Sequence, residues 1–196
     1  MAKKTTWLKA SQNRLEKIYS HLFKESKRKN IPIEAVNDND QTESGNMMKS
    51  LVELIKHKHQ EDGIDINPPA KLSEIIDFEK QIGFSLPADF KEFYLTCNGF
   101  ECNEDIFRMV PLSEIRLYKK DFGQNWFYFS EYMIYCDTWG LRQISTGQYE
   151  IFNGSFSDKA MTSSLIEFLQ RFLRGNVFEI EGLYDWQEEL GIKEQR

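Results

Sequence analysis

Apolar residues recur at three- and four-residue spacing through Leu72, Ile75, Ile76, Phe78 and Ile82, which places one apolar face on a short helix. Ser73 is the expected N-cap, with Glu74 in the first turn at the positive end of the helix dipole, and Gly83 ends the run. Leu86-Pro87 restarts the chain, because proline suits a first helical position, and Asp89 falls in the same first turn. Phe90, Phe93, Tyr94 and Cys97 then follow at i, i+3, i+4 and i+7, and Asn98-Gly99 supplies the left-handed residue that commonly closes a helix. Ile82, Leu86, Phe90, Phe93 and, further on, Leu169 are the expected core. Glu79 sits on the margin of the first apolar face. It is either a perturbed carboxylate in a site or an acceptor that fixes a nearby loop, and the second reading is favoured because a carboxylate near a core needs partners.

Before this pair, residues 4–29 read as a basic helix with a narrow stripe of Leu8, Leu15, Ile18, Tyr19 and Leu22. Such a helix suits a membrane surface, an acidic partner helix or, the favoured reading, the acidic body of its own protein. Residues 31–46, rich in Asn, Asp, Ser and Gly, read as a linker. A helix follows over 47–59, with Met48, Leu51, Val52 and Ile55 on one face and His57 and His59 at a solvated end. Two residues apart, these histidines point to different faces, unlike a zinc-gripping i, i+4 pair.

After Gly99 the period changes. Phe107 to Val110 fits a short strand ended by Pro111, and 113–120 a brief helix. The aromatic run from Trp126 to Cys136 reads as a strand; 141–146 and 149–153 read as two more, joined by a turn at Gly147. A helix over about 163–173, apolar round much of its circumference and closed by Gly175, is expected to pack on the resulting antiparallel meander. The tail from Val177 has apolar residues without a deciding period, so it could cover a sheet edge or a partner.

With 40% hydrophobic and 14% aromatic residues, the 196-residue chain can build one substantial core with an appendage. No run approaches the ~20 apolar residues that span a bilayer, and the first residues lack the apolar centre of a secretory signal. Three cysteines, Cys97, Cys102 and Cys136, match no zinc spacing and fit reduced thiols in a cytoplasm. Charge is uneven: residues 1–60 carry 12 Lys and Arg against 7 Asp and Glu, and 61–196 carry 13 against 24, giving +5 and −11. An acidic body disfavours nucleic acid and suits a basic protein partner. Catalytic signatures are missing: there is no phosphate loop, no metal-ligand spacing and no nucleophile elbow, and the three histidines all precede the expected core. Carboxylates alone could act on a glycoside, and Asp137 with Trp139 is where one would look, but Trp139-Gly140 reads more readily as a packed corner of the meander.

The order Phe78-Glu79, Ile82-Gly83, Leu86-Pro87, Asp89-Phe90-Lys91, Phe93-Tyr94 and Asn98-Gly99 resembles the SUKH superfamily, and the segment Met109 to Ile115 resembles that family's strand leading into a short helix. The likeness runs from about Met47 to Gly175 and leaves the first 45 or so residues outside. It implies an α+β fold, an antiparallel or mixed sheet covered on one face by the helices at 72–97 and 163–174, in a single domain over 47–196 with an N-terminal helical extension over 1–46. Taken with the missing catalytic signatures and the charge split, it points to a non-catalytic, cytoplasmic protein-binding module without cofactor or metal. Immunity proteins that neutralise a toxin domain come first, an intracellular regulatory or scaffolding module second and a carbohydrate-active enzyme a distant third. Phe78, Glu79, Gly83, Leu86, Pro87, Phe90, Asn98 and Gly99 are then structural motif residues. The partner, a basic toxin domain, is expected on a surface built from Glu101, Glu104 and Asp105 of one loop and Tyr132, Asp137 and Trp139 of the meander.

Overall fold

The computed structural model describes residues 38–103 and 106–192, with side chains from residue 46 onward. The chain divides into two compact units, Met1–Asn37 and Asp38–Arg196. The basic helix expected over 4–29 and the start of the linker lie outside the described residues.

Alternation of buried and half-exposed residues along short strands, and a 3.6-residue apolar period along the helices, organise the second unit. In chain order it runs α1 (Asp38–Lys58), β1 (Ile64–Ile66), α2 (Leu72–Ile82), α3 (Ala88–Thr96), β2 (Phe100–Cys102), β3 (Phe107–Met109), α4 (Leu112–Leu117), β4 (Trp126–Tyr132), β5 (Asp137–Ser145), β6 (Gln148–Asn153), β7 (Ala160–Thr162), α5 (Leu165–Gly175) and α6 (Leu183–Glu189). The seven strands form one sheet in sequence order, each antiparallel to the next. The fold is therefore α+β, with an antiparallel sheet.

Register sorts the side chains to two faces, because residues directly opposite one another share a face. Phe100 opposes Met109, Phe107 opposes Tyr132, Leu141 opposes both Phe127 and Ile151, and Trp139 opposes Ser130; these residues make the inner face. A register shift between Tyr128 and Ser130 admits Phe129 to the same buried side. Helices α2, α3 and α5 cover this face through aromatic rings. Phe127 meets Phe78 at 5.2 Å and Phe90 at 6.1 Å, Phe129 meets Phe90 at 5.0 Å and Phe168 at 5.2 Å, and Phe107 stacks on Phe172 at 4.0 Å. Edge-to-face pairs dominate this seam, the arrangement that ring quadrupoles favour. Helix α1 buries Met48, Leu51, Val52 and Ile55 against α3 and α5. The tail's place is now defined: α6 docks on α5, where Arg171 makes a two-pronged pair with Glu189 and its guanidinium lies 5.2 Å from the Trp186 ring centre.

Several elements differ from expectation, each for a local reason. Helix α1 starts at Asp38, so residues 38–46 are helical and not linker; once 47–58 is fixed by packing, each further residue adds a hydrogen bond at little cost. His59 is buried and stacks on Phe172 at 5.4 Å, whereas His57 is exposed as expected, because the helix ends at Lys58 and turns residue 59 inward. The fold thus does hold a histidine in its core. On α2, Leu72 and Ile76 are exposed, leaving Ile75, Phe78 and Ile82 as the buried stripe. Its N-cap is Lys71 and not Ser73, with Glu74 accepting from the Lys71 N–H at 2.7 Å. Helix α3 begins one residue after Pro87 and ends at Thr96, with Cys97 extended.

Phe93 is fully buried between Tyr94 and Phe100. Replacing it by Ala should cost about 3–5 kcal/mol through the cavity left behind, read as a shift of the urea midpoint. We propose that the unit from Asp38 folds by itself. A chain cut to 38–196 is expected to unfold in one cooperative transition, while a cut at Asn46, which removes the first two turns of α1, should lower the midpoint; equal midpoints would put those turns outside the cooperative unit.

Candidate functional site

The residues that the sequence singles out from Phe78 to Gly99 turn out to be a frame. Glu79 accepts the Leu86 N–H at 2.6 Å and pairs with Lys91 at 2.9 Å, so it fixes the link between α2 and α3. Asn98 accepts the Leu112 N–H at 3.0 Å at the start of α4. Asp89, placed by sequence in the first turn of its own helix, reaches across the fold to the Leu165 N–H at 2.7 Å and so caps α5. Burial raises the Asp89 carboxyl above its ordinary range, against the backbone N–H groups of Leu165 and Phe90 that favour its charged form. Gly83 closes α2 at φ +83°, its N–H bonding to the Glu79 carbonyl. Gly99 has φ +88°, and a Cβ there would stand 2.3 Å from the Met109 carbonyl oxygen. Phe78, Leu86 and Phe90 are buried; Pro87 is the N-cap of α3.

The expected partner surface divides between the two faces of the sheet. Glu101 is exposed on β2 opposite Arg108, on the outer face. Tyr132 and Asp137 oppose one another on the inner face, at the sheet end where β4 turns into β5. Glu104 and Asp105 lie outside the described residues. Asp137 accepts from Asn153 at 2.9 Å and from the Thr138 N–H at 3.0 Å, and Tyr132 packs on Phe178 at 5.2 Å. Trp139 is a core residue and not a surface one: it is fully buried in mid-strand, 5.9 Å from both Phe107 and Phe168. Its position on β5 aims it at the helices, so it supports Tyr132 and Asp137 from behind and offers nothing to a partner.

A charged cluster that sequence reasoning missed occupies the outer face at this end. Arg108 of β3 pairs with Glu131 of β4 at 2.8 Å and with Glu114 of α4. Burial works against the Arg108 charge, but the Glu114 hydrogen bond and the fields of Glu131, Glu114 and Glu101 outweigh it and raise its pKa. Glu131 is almost wholly buried, and burial pushes its carboxyl up against the pull of Arg108, with repulsion from Glu114, Asp121 and Glu101 adding to the rise. Asp121 is raised for the same first reason although the Tyr135 hydroxyl donates to it at 3.1 Å. The only sequence signal for this cluster is the polar phase of short strands, Arg108 between Phe107 and Met109, and its partners lie 6 and 23 residues away.

The turn beyond Tyr132 was expected to continue as strand to Cys136. Instead Met133, Ile134 and Tyr135 all have positive φ, at 48°, 51° and 65°. Left-handed backbone costs roughly 1–2 kcal/mol for each such residue, and for β-branched Ile134 it is a genuine outlier. The Met133 N–H bonds to the Ile106 carbonyl at 2.9 Å, which joins this turn to the β2–β3 connection. That bond brings Ile106, where the chain enters β3, to the β4–β5 turn at one end of the sheet.

Little in the described residues is poised for chemistry. Burial pushes the Cys97 thiol up to about 12, which keeps it protonated and unreactive. Among the described residues no group of three His, Cys, Asp or Glu side chains is disposed to hold a metal ion, and no helix is long and apolar enough to cross a membrane. A shallow cleft lined by Leu86, Pro87, Ala88, Ile144, Gly147, Gln148, Tyr149 and Ser163 contains no carboxylate, histidine or thiol.

This frame, in which a helix pair tethers a meander through Glu79, Asp89 and Asn98, is matched by the family model described as SMI1/KNR4 (SUKH-1) over residues 69–171, more than half of the chain. The chain belongs to the SMI1/KNR4 family. No curated protein compared with it matches. The SMI1/KNR4 region runs from just before α2 into α5, so it takes in all three tethers, the Arg108 cluster and the 133–135 turn, and leaves α1 and α6 outside.

The cluster makes stability depend on pH in a definite sense. Native Glu131 and Asp121 hold their protons more tightly than the unfolded chain does, so they contribute stability at low pH that is lost as pH rises through their raised native values. Between pH 7 and the ordinary glutamate value of 4.5, wild type should gain stability on acidification relative to Glu131→Gln, read as diverging urea midpoints. Divergence of the opposite sign would mean that the Arg108 pair outweighs burial.

Proposed function

We propose that this SMI1/KNR4 chain is a non-catalytic protein-binding module, an immunity protein that binds the enzymatic domain of a toxin in the cytoplasm and blocks it. The observation that carries the reading is the charge of the body, −11 over residues 61–196, in a fold where the half-buried acids Glu79 and Asp89 serve as tethers. A toxin domain that acts on nucleic acid carries a basic surface for phosphate, and such a surface is what an acidic body attracts. The contact region we assign is the sheet end where Ile106 meets Met133, with Glu101, Glu104 and Asp105 steering the encounter and Tyr132 and Asp137 supplying contact. Family membership supports protein binding without naming the partner.

The test starts from the coding sequence beside that of this chain. Co-expression with a toxin domain encoded there should restore growth of cells that the domain alone kills, and the purified pair should bind with an on-rate that falls steeply as salt rises. Changing Glu104 and Asp105 to Lys should slow association about tenfold while leaving dissociation nearly unchanged, since rim charges act mainly on encounter. A pair whose on-rate ignores both salt and charge reversal removes the assigned surface. Rescue failure with every neighbouring toxin, combined with a non-toxin partner, moves the chain to the regulatory reading. Turnover of any substrate by the purified protein overturns the binding-module reading itself.

A further inference from the structure

We propose that the β4–β5 turn, Met133-Ile134-Tyr135, is an apolar plug that seats in a hydrophobic hollow, rimmed by Lys and Arg, on a partner protein; this rests on the protein-binding reading above and names its anchoring contact. Ile134 is 81% exposed, the second most exposed of the large apolar residues described, and Met133, Tyr135 and neighbouring Ile106 are exposed with it. Tyr118 extends the patch: the Lys120 ammonium lies 4.0 Å from the Tyr135 ring centre and 5.8 Å from that of Tyr118. Large apolar side chains gathered at one place on a surface mark an interaction site.

Two further facts select the occupant. The three plug residues hold positive φ where glycine or asparagine would sit without strain, so the backbone carries a conformation that its own packing gives no reason to fill with Ile. The ground behind the plug is acidic. Glu101, Glu114, Asp121 and Glu131 interact there with Arg108, and Lys119 and Lys120 of the turn before β4 bring the positive charges to three against these four carboxylates. A lipid surface bearing anionic headgroups is repelled by that ground, and so is the same patch on a second copy of the chain. A protein with a cationic rim around an apolar hollow complements both features.

The plug acts on the lifetime of the complex, whereas the steering charges act on encounter, and this separates the two proposals experimentally. Full-length chain, Ile134→Asp, Ile134→Gly and the control Ile144→Asp, which changes an exposed isoleucine on the β5–β6 hairpin, are immobilised as baits in lysate of the source cell, and every retained protein is quantified. The expected result is a basic protein held by wild type and by Ile144→Asp and reduced about tenfold or more by both Ile134 variants, with the loss in dissociation rate when that protein is purified. Ile134→Gly should meanwhile keep or raise the thermal midpoint, since glycine relieves the positive φ. That opposition between stability and retention is what a merely structural turn would not show. A partner held equally by all four baits overturns the plug and leaves the binding reading intact. Retention of nothing by any bait overturns both. Retention only of the chain itself, or of vesicles of anionic lipid offered in the same format, assigns the patch to self-association or to a membrane and overturns the proposed occupant.

Discussion

Every helix begins with backbone N–H groups that its own hydrogen bonds cannot reach, and in this fold one stretch of chain answers an N–H at or just ahead of the start of three helices. Glu79 takes the N–H of Leu86 ahead of α3, Asn98 that of Leu112 at the start of α4, and Asp89 that of Leu165 at the start of α5. The last of these crosses 76 residues. A side chain that caps its own helix stabilises that helix; one that caps another also fixes where the second helix begins and how it approaches. The α2–α3 pair is thus the part against which the other helix ends are set. Because a buried donor left unmet costs about 1–3 kcal/mol, three such tethers constrain the fold more tightly than their number suggests.

The tethers set position, and the rings supply most of the cohesion. A strand that alternates Phe107, Arg108 and Met109 gives one face to Phe172 of α5 and the other to charge. The same alternation makes Arg108, Glu131 and Glu114 a partly buried network on the outer face, and its worth differs from that of a surface pair. Burial raises Glu131 even with Arg108 at 2.8 Å, so desolvation outweighs attraction at that carboxyl. The network therefore contributes orientation, holding α4 to the sheet through Glu114, more than it contributes free energy.

Wherever the period was long enough to be heard, the architecture was legible in the sequence. Phe90, Phe93 and Tyr94 announced α3, the aromatic run announced β4, and the turn at Gly147 announced the β5–β6 hairpin. Glu79's role was legible as well, because a carboxylate on the margin of an apolar face has few other ways to be satisfied. Three-residue strands such as Ile64–Ile66 and Ala160–Thr162 carry too little alternation to stand out, and they exist because the sheet offers them a paired edge. Asp89's partner and the Arg108 cluster are contacts distant in sequence, which no local pattern records. Trp139 is packed, as its reading as a corner of the meander had it, but its place in the partner surface was wrong: its neighbour Asp137 faces the same side of β5 at the exposed end of the strand, and sequence gives the face but not the depth.

Depth also bears on the contact proposed at the sheet end. Behind Tyr132 and Asp137 stands a packed column, with Trp139 against Phe107 and Phe168, and Phe107 against Phe172. In front, Tyr132 is pinned on Phe178, and Asp137 is held by Asn153 and the Thr138 N–H. The strands that carry the 133–135 turn are thus anchored to the core of the domain on one face and to the Arg108 network on the other. A partner at the proposed contact would meet Tyr132 and Asp137 already held in place, so the ordering cost of association would fall on few side chains. The strained turn is consistent with that arrangement: a backbone held at positive φ persists only where its surroundings over-determine it, and here they do so from both faces of the sheet.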